Sequence, residues 1–199
     1  MNYRTLGRTG IQVGEIGLGS EAFVNQTVEY GVELINAAID AGVNYFDLYN
    51  PEPYVRDAFG KGMEGRREKF VMLAHLRSAW IDGQYKRTRN MDEVNAAFAD
   101  LLTRLKTDYI DVGMIHYVDE QKDFDEVFHG PVIEFAKEQK AAGKIRHIGM
   151  STHNPRIGTQ AVKSGLVDVI MFSVNPAYDI VPPRACLKNR KRRLFCPIS

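Results

Sequence analysis

The segment Gly42-Val43-Asn44-Tyr45-Phe46-Asp47 sets the plan of the chain, because it leads from an amphipathic helix into a short apolar strand that ends on a carboxylate. Two later segments repeat this plan: Phe70-Val71-Met72-Leu73-Ala74-His75 and Tyr109-Ile110-Asp111-Val112-Gly113-Met114-Ile115-His116. Apolar strands separated by helices are typical of a parallel sheet that is covered on both faces. Polar residues at the carboxyl ends of such strands line the ligand crevice, so Asp47, His75 and His116 are the first candidates for chemistry.

The composition is that of an ordinary globular protein. The chain has 199 residues, of which 44% are hydrophobic and 26% are charged, and this length supports one domain with a sizeable core. No apolar run approaches the ~20 residues of a membrane span. The first residues contain no apolar signal core, so the sequence predicts a cytoplasmic protein with no membrane partner.

The C-terminal residues 184–199 differ from the rest. They hold six basic residues, no acidic residue and both cysteines of the chain, Cys186 and Cys196. We expect a folded part over 1–183 and a basic, cysteine-containing tail over 184–199. A nucleic-acid partner is not expected, because the basic run lacks interleaved aromatic residues and a known binding module. The change in composition favours a departure of the reading frame near Pro183 over a functional basic tail.

Alternating strands and helices follow an N-terminal hairpin that is predicted over residues 3–13. Strands are predicted at 15–19, up to Asp47, up to His75, up to His116, at 145–150 and at 169–174. Helices are predicted after Thr27, over about 53–63, after Asn90, from near Pro131 to before Gly143 and over about 155–164. The pattern indicates six strands of βα type and no internal repeat.

Two architectures are compatible with this pattern, an open doubly wound sheet and a (β/α)₈ barrel. An open sheet that binds a dinucleotide would carry a GxGxxG turn after its first strand. The segment Gly17-Leu18-Gly19-Ser20-Glu21-Ala22 lacks the third glycine, which weakens that alternative. The barrel needs two more strands than the six that are predicted.

Five motifs together resemble the aldo-keto reductases in order and spacing, over residues 1 to about 180. They are Tyr3-Arg4-x-Leu6-Gly7-x-Thr9-Gly10, Ile16-Gly17-Leu18-Gly19, the segment 42–47, Asp108-Tyr109-Ile110-Asp111 with His116, and the segment 143–151. The resemblance implies a TIM-type (β/α)₈ barrel with about six βα units, in which strands seven and eight are missing. The turn Ser151-Thr152-His153-Asn154 is most similar to a bacterial branch that resembles the iron–sulfur-associated aldo/keto reductases.

The resemblance implies NAD(P)H-dependent reduction of a small carbonyl substrate by an Asp, Tyr, Lys and His set. In such a set, a tyrosine hydroxyl protonates the carbonyl oxygen, and a lysine held by the aspartate lowers the pKa of that tyrosine. Asp47 and His116 match the family aspartate and histidine. His75 stands where the lysine belongs, and an imidazole carries only a partial positive charge at neutral pH.

The family tyrosine has no direct match, because the ungapped position is Glu52, with Tyr49 and Tyr54 on either side. We expect Tyr54 to be the acid, since it lies in the loop-to-helix segment. The implied cofactor contacts are Gly19, Ser20, Ser151, Thr152 and Asn175. Met171 replaces an expected glutamine, and the segments that would supply most pyrophosphate and adenosine contacts are absent.

The residues support neither a metal ion nor an iron–sulfur cluster. Two cysteines are too few for a four-thiolate cluster, and the tail lacks the histidines that a two-cysteine zinc site needs. The sequence therefore favours a reductase impaired by the missing strands and by His75. The alternatives are a non-catalytic barrel remnant and a small-ligand binding protein without hydride transfer. In each case, the unpaired first and sixth strands predict self-association.

Overall fold

The computed structural model of the chain describes residues 1–7 and 9–174. The strands are β1 (Tyr3–Thr5), β2 (Gln12–Gly14), β3 (Leu18–Gly19), β4 (Tyr45–Leu48), β5 (Val71–His75), β6 (Ser78–Ile81), β7 (Gln84–Arg87), β8 (Ile110–Ile115), β9 (Ile145–Ser151) and β10 (Val169–Met171). The helices are α1 (Val28–Asp40), α2 (Pro53–Met63), α3 (Met91–Arg104), α4 (Gln121–Phe128), α5 (Pro131–Ala141) and α6 (Pro155–Ser164). None of the helices in this part of the chain is long and apolar enough to cross a membrane.

Six parallel strands of the described residues form one curled sheet in the order β3-β4-β5-β8-β9-β10. This sheet and its helices are an incomplete (β/α)₈ barrel, which confirms the predicted fold. The two end strands are shorter than predicted, since β3 begins at Leu18 and β10 ends at Met171. Asn175 and the predicted boundary between 183 and 184 lie outside the described residues.

Side chains along each strand alternate between the barrel interior and the helix layer, as the period of two requires. Tyr45, Leu73 and Met114 belong to the interior cluster, whereas neighbours such as Phe46 belong to the cluster beneath the helices. The residues two positions further along the chain from these three point to the same side. They are Asp47, His75 and His116, so the alternation directs all three to the carboxyl end of the interior.

The N-terminal hairpin forms as predicted, with β1 and β2 antiparallel. Its residues Leu6, Ile11 and Val13 pack into the interior cluster. Helix α1 is capped by Thr27, whose side chain accepts a hydrogen bond from the Tyr30 N–H. The hairpin and the cap follow from local sequence, because each uses contacts between residues that are near one another in the chain.

One hairpin and one helix of the structure were not predicted from the sequence. Strands β6 and β7 follow β5 and form a hairpin with a two-residue turn. The turn residues Asp82 and Gly83 have φ values of 52° and 75°. Two positive φ angles on an Asp-Gly pair are typical of a type I′ turn, so this signal was present in the sequence. Helix α4 was missed because it is only 8 residues long.

Candidate active site

A cavity of about 380 Å³ opens at the carboxyl ends of the parallel strands. Its wall includes Asp47 on β4, His75 at the end of β5, His116 just after β8 and Ser151 at the end of β9. The volume lies near the lower end of the range of about 300–1,000 Å³ that is usual for small-molecule sites. The structure therefore brings together three of the four predicted catalytic residues.

Four side chains form a continuous hydrogen-bonded array in this region. The Oδ1 atom of Asp47 lies 3.0 Å from Nε2 of His75, and Nδ1 of His75 lies 2.5 Å from Nδ1 of His116. The Nε2 atom of His116 lies 2.7 Å from the hydroxyl of Tyr85 on β7. Each imidazole therefore uses both ring nitrogens, and the array spans strands β4, β5 and β8 before it reaches the hairpin.

Burial governs the electrostatics of the two histidines. His75 is 5% exposed and His116 is 7% exposed. Burial, followed by the nearby charges of His75, Arg77 and Arg87, lowers the pKa of His116 to about 2. The His116 ring is therefore neutral at physiological pH, with one nitrogen that donates and one that accepts a hydrogen bond.

The predicted acid, Tyr54, lies away from this array. Its hydroxyl accepts a hydrogen bond of 3.0 Å from the Asn25 N–H, and Tyr54 is not part of the cavity wall. The ring of Tyr49 does line the cavity and lies parallel to the His116 ring, with 6.2 Å between centroids. The Tyr49 hydroxyl donates to the Glu21 carboxylate, and burial and this carboxylate raise the pKa of Tyr49.

Tyr85, whose hydroxyl is hydrogen-bonded to His116, was not predicted from the sequence as a site residue. The Asp82-Gly83 turn signal would have placed it on a hairpin that follows the His75 strand. Arg77 precedes the hairpin and is only 1% exposed. Its Nη2 atom lies 3.0 Å from Oδ1 of Asp123 in α4. Arg77 also donates to the backbone carbonyl of Thr88 at 3.2 Å, so it ties α4 to the segment that follows β7.

The predicted cofactor residues occupy different positions. Gly19, Ser151 and Thr152 line the cavity, whereas the hydroxyl of Ser20 donates to the side chain of Asn50 at 2.6 Å. Thr152 Oγ1 donates to Asp119 at 2.9 Å. Ser151 is different, because its Oγ accepts a hydrogen bond of 2.8 Å from the Tyr117 N–H and its hydroxyl hydrogen has no acceptor among the described residues.

Among the described residues, no group of three or more His, Cys, Asp or Glu side chains is arranged to hold a metal ion. In the array, Nδ1 of His75 is hydrogen-bonded to Nδ1 of His116, and the two Nε2 atoms contact Asp47 and Tyr85.

A parallel barrel sheet with a polar array at the carboxyl ends of its strands defines a TIM-type protein, a class in which active sites lie at that end. Within that class, the chain belongs to the aldo/keto reductase family, whose family model matches residues 11–190. This match confirms the resemblance that the sequence motifs indicated.

The chain is similar to two curated proteins of Bacillus subtilis. It is 28% identical over 176 residues to the uncharacterized oxidoreductase YqkF, and the matched region covers 86% of this chain and 56% of that protein. It is 30% identical over 161 residues to the aldo-keto reductase YhdN, which covers 76% of this chain and 47% of that protein. The chain therefore spans about half the length of the curated relatives it matches.

The fold is also similar to that of a solved relative. The holo form of the aldo-keto reductase AKR11C1 from Bacillus halodurans superposes with a TM-score of 0.81 at 22% identity. The superposition covers 98% of this chain and 65% of that one, and it shows a shared fold.

Proposed function

We propose that the protein is an oxidoreductase that reduces the carbonyl group of a small aldehyde or ketone with NADPH or NADH. One observation carries this proposal: the buried array of Asp47, His75 and His116 lies at the end of a cavity of small-molecule size. A buried array that shares protons is suited to protonate a carbonyl oxygen. Family membership supports the same reaction class.

The cavity fits the nicotinamide end of the cofactor. The Ser151 hydroxyl hydrogen, which has no acceptor among the described residues, would donate to the carboxamide oxygen. The ring of Tyr117 and the side chain of Met171 supply apolar wall nearby, and Gly19 adds no side chain there. When it is bound, a reduced nicotinamide supplies a hydride to the carbonyl carbon.

The protein's own groups hold and move the proton. Asp47 accepts a hydrogen bond from Nε2–H of His75 and supplies the countercharge when His75 is protonated. His116 stays neutral and passes a proton between its two ring nitrogens. His75 and His116 are both buried, and burial strengthens these interactions relative to water.

The test is to mix the purified chain with NADPH or NADH and a panel of aldehydes and ketones, and to follow nucleotide oxidation and nucleotide fluorescence. We expect turnover that requires both substrates. Ser151→Ala should weaken nucleotide binding and leave the fold intact, while Ser164→Ala on the far end of α6 is the matched control. Nucleotide binding without oxidation for every carbonyl would contradict the proposal and favour the alternative of a small-ligand binding protein.

A further inference from the structure

We propose that His153, in the wall of the cavity, binds a carboxylate group of the carbonyl substrate, so that small oxo acids are the preferred substrate class. The inference rests on the proposed function for the carbonyl end of the ligand. The carboxylate end depends on His153 and can be tested by binding alone, without turnover.

His153 has a ring nitrogen that no described residue occupies. Three histidines line the cavity, and two of them, His75 and His116, use both ring nitrogens in the array. Nδ1 of His153 lies 3.1 Å from Oδ2 of Asp119, and its Nε2 makes no hydrogen bond with the described part of the chain. The His153 side chain is 41% exposed, so a ligand in the cavity can reach this nitrogen.

Asp119 holds the His153 ring in this orientation. Its Oδ1 atom accepts from the Thr152 hydroxyl at 2.9 Å and from the His153 N–H at 2.7 Å. An ionised carboxylate only accepts, so Nδ1 of His153 carries a hydrogen that points to Oδ2. Asp119 thereby supplies the countercharge of a protonated ring, whose Nε2–H would donate a charge-assisted hydrogen bond to a carboxylate.

The charge around the cavity suits an anionic group. Asp47 is the one acidic residue among the described residues of the wall, and it accepts from His75. Burial, followed by nearby positive charges that include Arg87 and His153, lowers the pKa of His116. The same positive charges would attract an anion into the cavity.

Tyr117 sets the spacing between the array and His153. Its φ angle of 53° is unusual for a tyrosine, and its N–H donates to Ser151 Oγ at 2.8 Å while its carbonyl accepts from Arg87 at 2.8 Å. The Tyr117 ring centroid lies 6.2 Å from that of His116 and 5.1 Å from that of His153. The two histidines therefore flank one aromatic ring, and an oxo acid with its carbonyl near His116 can extend along that ring to place its carboxylate at His153.

The kinetic test compares 4-carboxybenzaldehyde with its methyl ester, which has the same ring and aldehyde and lacks the negative charge. The variant is His153→Asn, because an asparagine amide can still donate to Asp119 and has no atom in place of Nε2. We expect the variant to raise KM for the acid about 10-fold, the size of one hydrogen bond to a charged group, and to leave kcat and the KM for the ester unchanged.

The control variant is His147→Asn. His147 on β9 also faces a carboxylate, with Nδ1 3.5 Å from Oδ2 of Asp168, and it is not among the described residues of the cavity wall. This variant should change neither KM. An equal rise in KM for acid and ester in His153→Asn would indicate a purely structural role and overturn the inference, as would an unchanged KM for the acid.

A binding test separates this inference from the proposed function. Calorimetry without nucleotide measures the affinity of the two alcohol products, 4-(hydroxymethyl)benzoate and its methyl ester. The acid should bind about 10-fold more tightly than the ester to the wild type, and His153→Asn should remove this preference. If no carbonyl is reduced, the proposed function fails and this preference still decides the role of His153. Equal affinities for acid and ester in the wild type would overturn the inference.

Discussion

The Nδ1 atoms of His75 and His116 lie 2.5 Å apart, so two imidazole rings from neighbouring strands share one proton. The register of the sheet produces this contact, since β5 and β8 pair with Leu73 opposite Val112 and His75 opposite Met114. His116 lies two residues beyond Met114 and points into the same interior. The two rings therefore meet above a closely packed apolar layer.

Replacing Asp47 with asparagine should slow any carbonyl reduction by the chain. Asp47→Asn removes the charged oxygen that accepts from Nε2–H of His75 at 3.0 Å, so a proton on His75 loses its countercharge. The measurement is kcat/KM of the wild type and the variant with the same carbonyl and nucleotide. An unchanged kcat/KM would mean that His75 does not take the place of the family lysine.

The buried His116 should make the protein less stable in mild acid. The pKa of His116 is lowered to about 2 by burial in the folded chain, while an unfolded histidine titrates near ~6.5. Below pH ~6.5 the unfolded chain binds a proton that the folded chain excludes, so the free energy of unfolding falls as the pH is lowered. The limiting slope is about 1.4 kcal/mol per pH unit.

Urea denaturation of the wild type and of His116→Gln at several pH values measures this effect. The variant should lose less stability than the wild type as the pH falls from ~6.5 toward ~4. His129→Gln is the control, because His129 is exposed and its removal changes the same formal charge. Equal pH dependence in wild type and His116→Gln would argue against a buried neutral imidazole.

Gly60 allows helix α2 to approach the end of helix α3. A Cβ atom at this position would lie 1.9 Å from the backbone oxygen of Arg104, and backbone cannot rotate away as a side chain does. Gly60→Ala should therefore lower the free energy of unfolding by about 1–3 kcal/mol, the usual cost of overpacking. Gly158 in α6 is the matched control, because its Cβ would meet only the Thr152 methyl at 3.4 Å.

Thermal or urea denaturation of Gly60→Ala and Gly158→Ala gives the comparison. The alanine at 158 should be neutral or stabilising by up to about 1 kcal/mol, because alanine favours helices more than glycine does. If both variants lose the same stability, the close approach of α2 and α3 is not the cause.

The edge strands of the described sheet, β3 and β10, expose backbone groups that another chain can pair with. We predict that the 199-residue chain self-associates and that removal of residues 184–199 leaves this behaviour in place. Light scattering of both forms over a range of concentrations is the measurement. A monomer that melts cooperatively in both forms would contradict the prediction.

Several features could be predicted because their causes are local. Helices α2 and α6 lie where the sequence predicted them, and Thr27 caps α1 as predicted. The position of Asp47 and His75 at the ends of predicted parallel strands also predicted that they reach the carboxyl end of the sheet. These features depend on backbone geometry over a few residues, and neighbouring residues in the chain specify that geometry.

The pairing of active-site groups could not be predicted in this way. Nothing in the sequence states that His75 and His116 approach to hydrogen-bonding distance, or that Tyr85 reaches His116 while Tyr54 bonds to Asn25. These contacts join residues about 30 or more positions apart. Their distances are set by strand register, by the hairpin that Arg77 holds, and by close packing of the interior, all of which arise only when the whole sheet assembles.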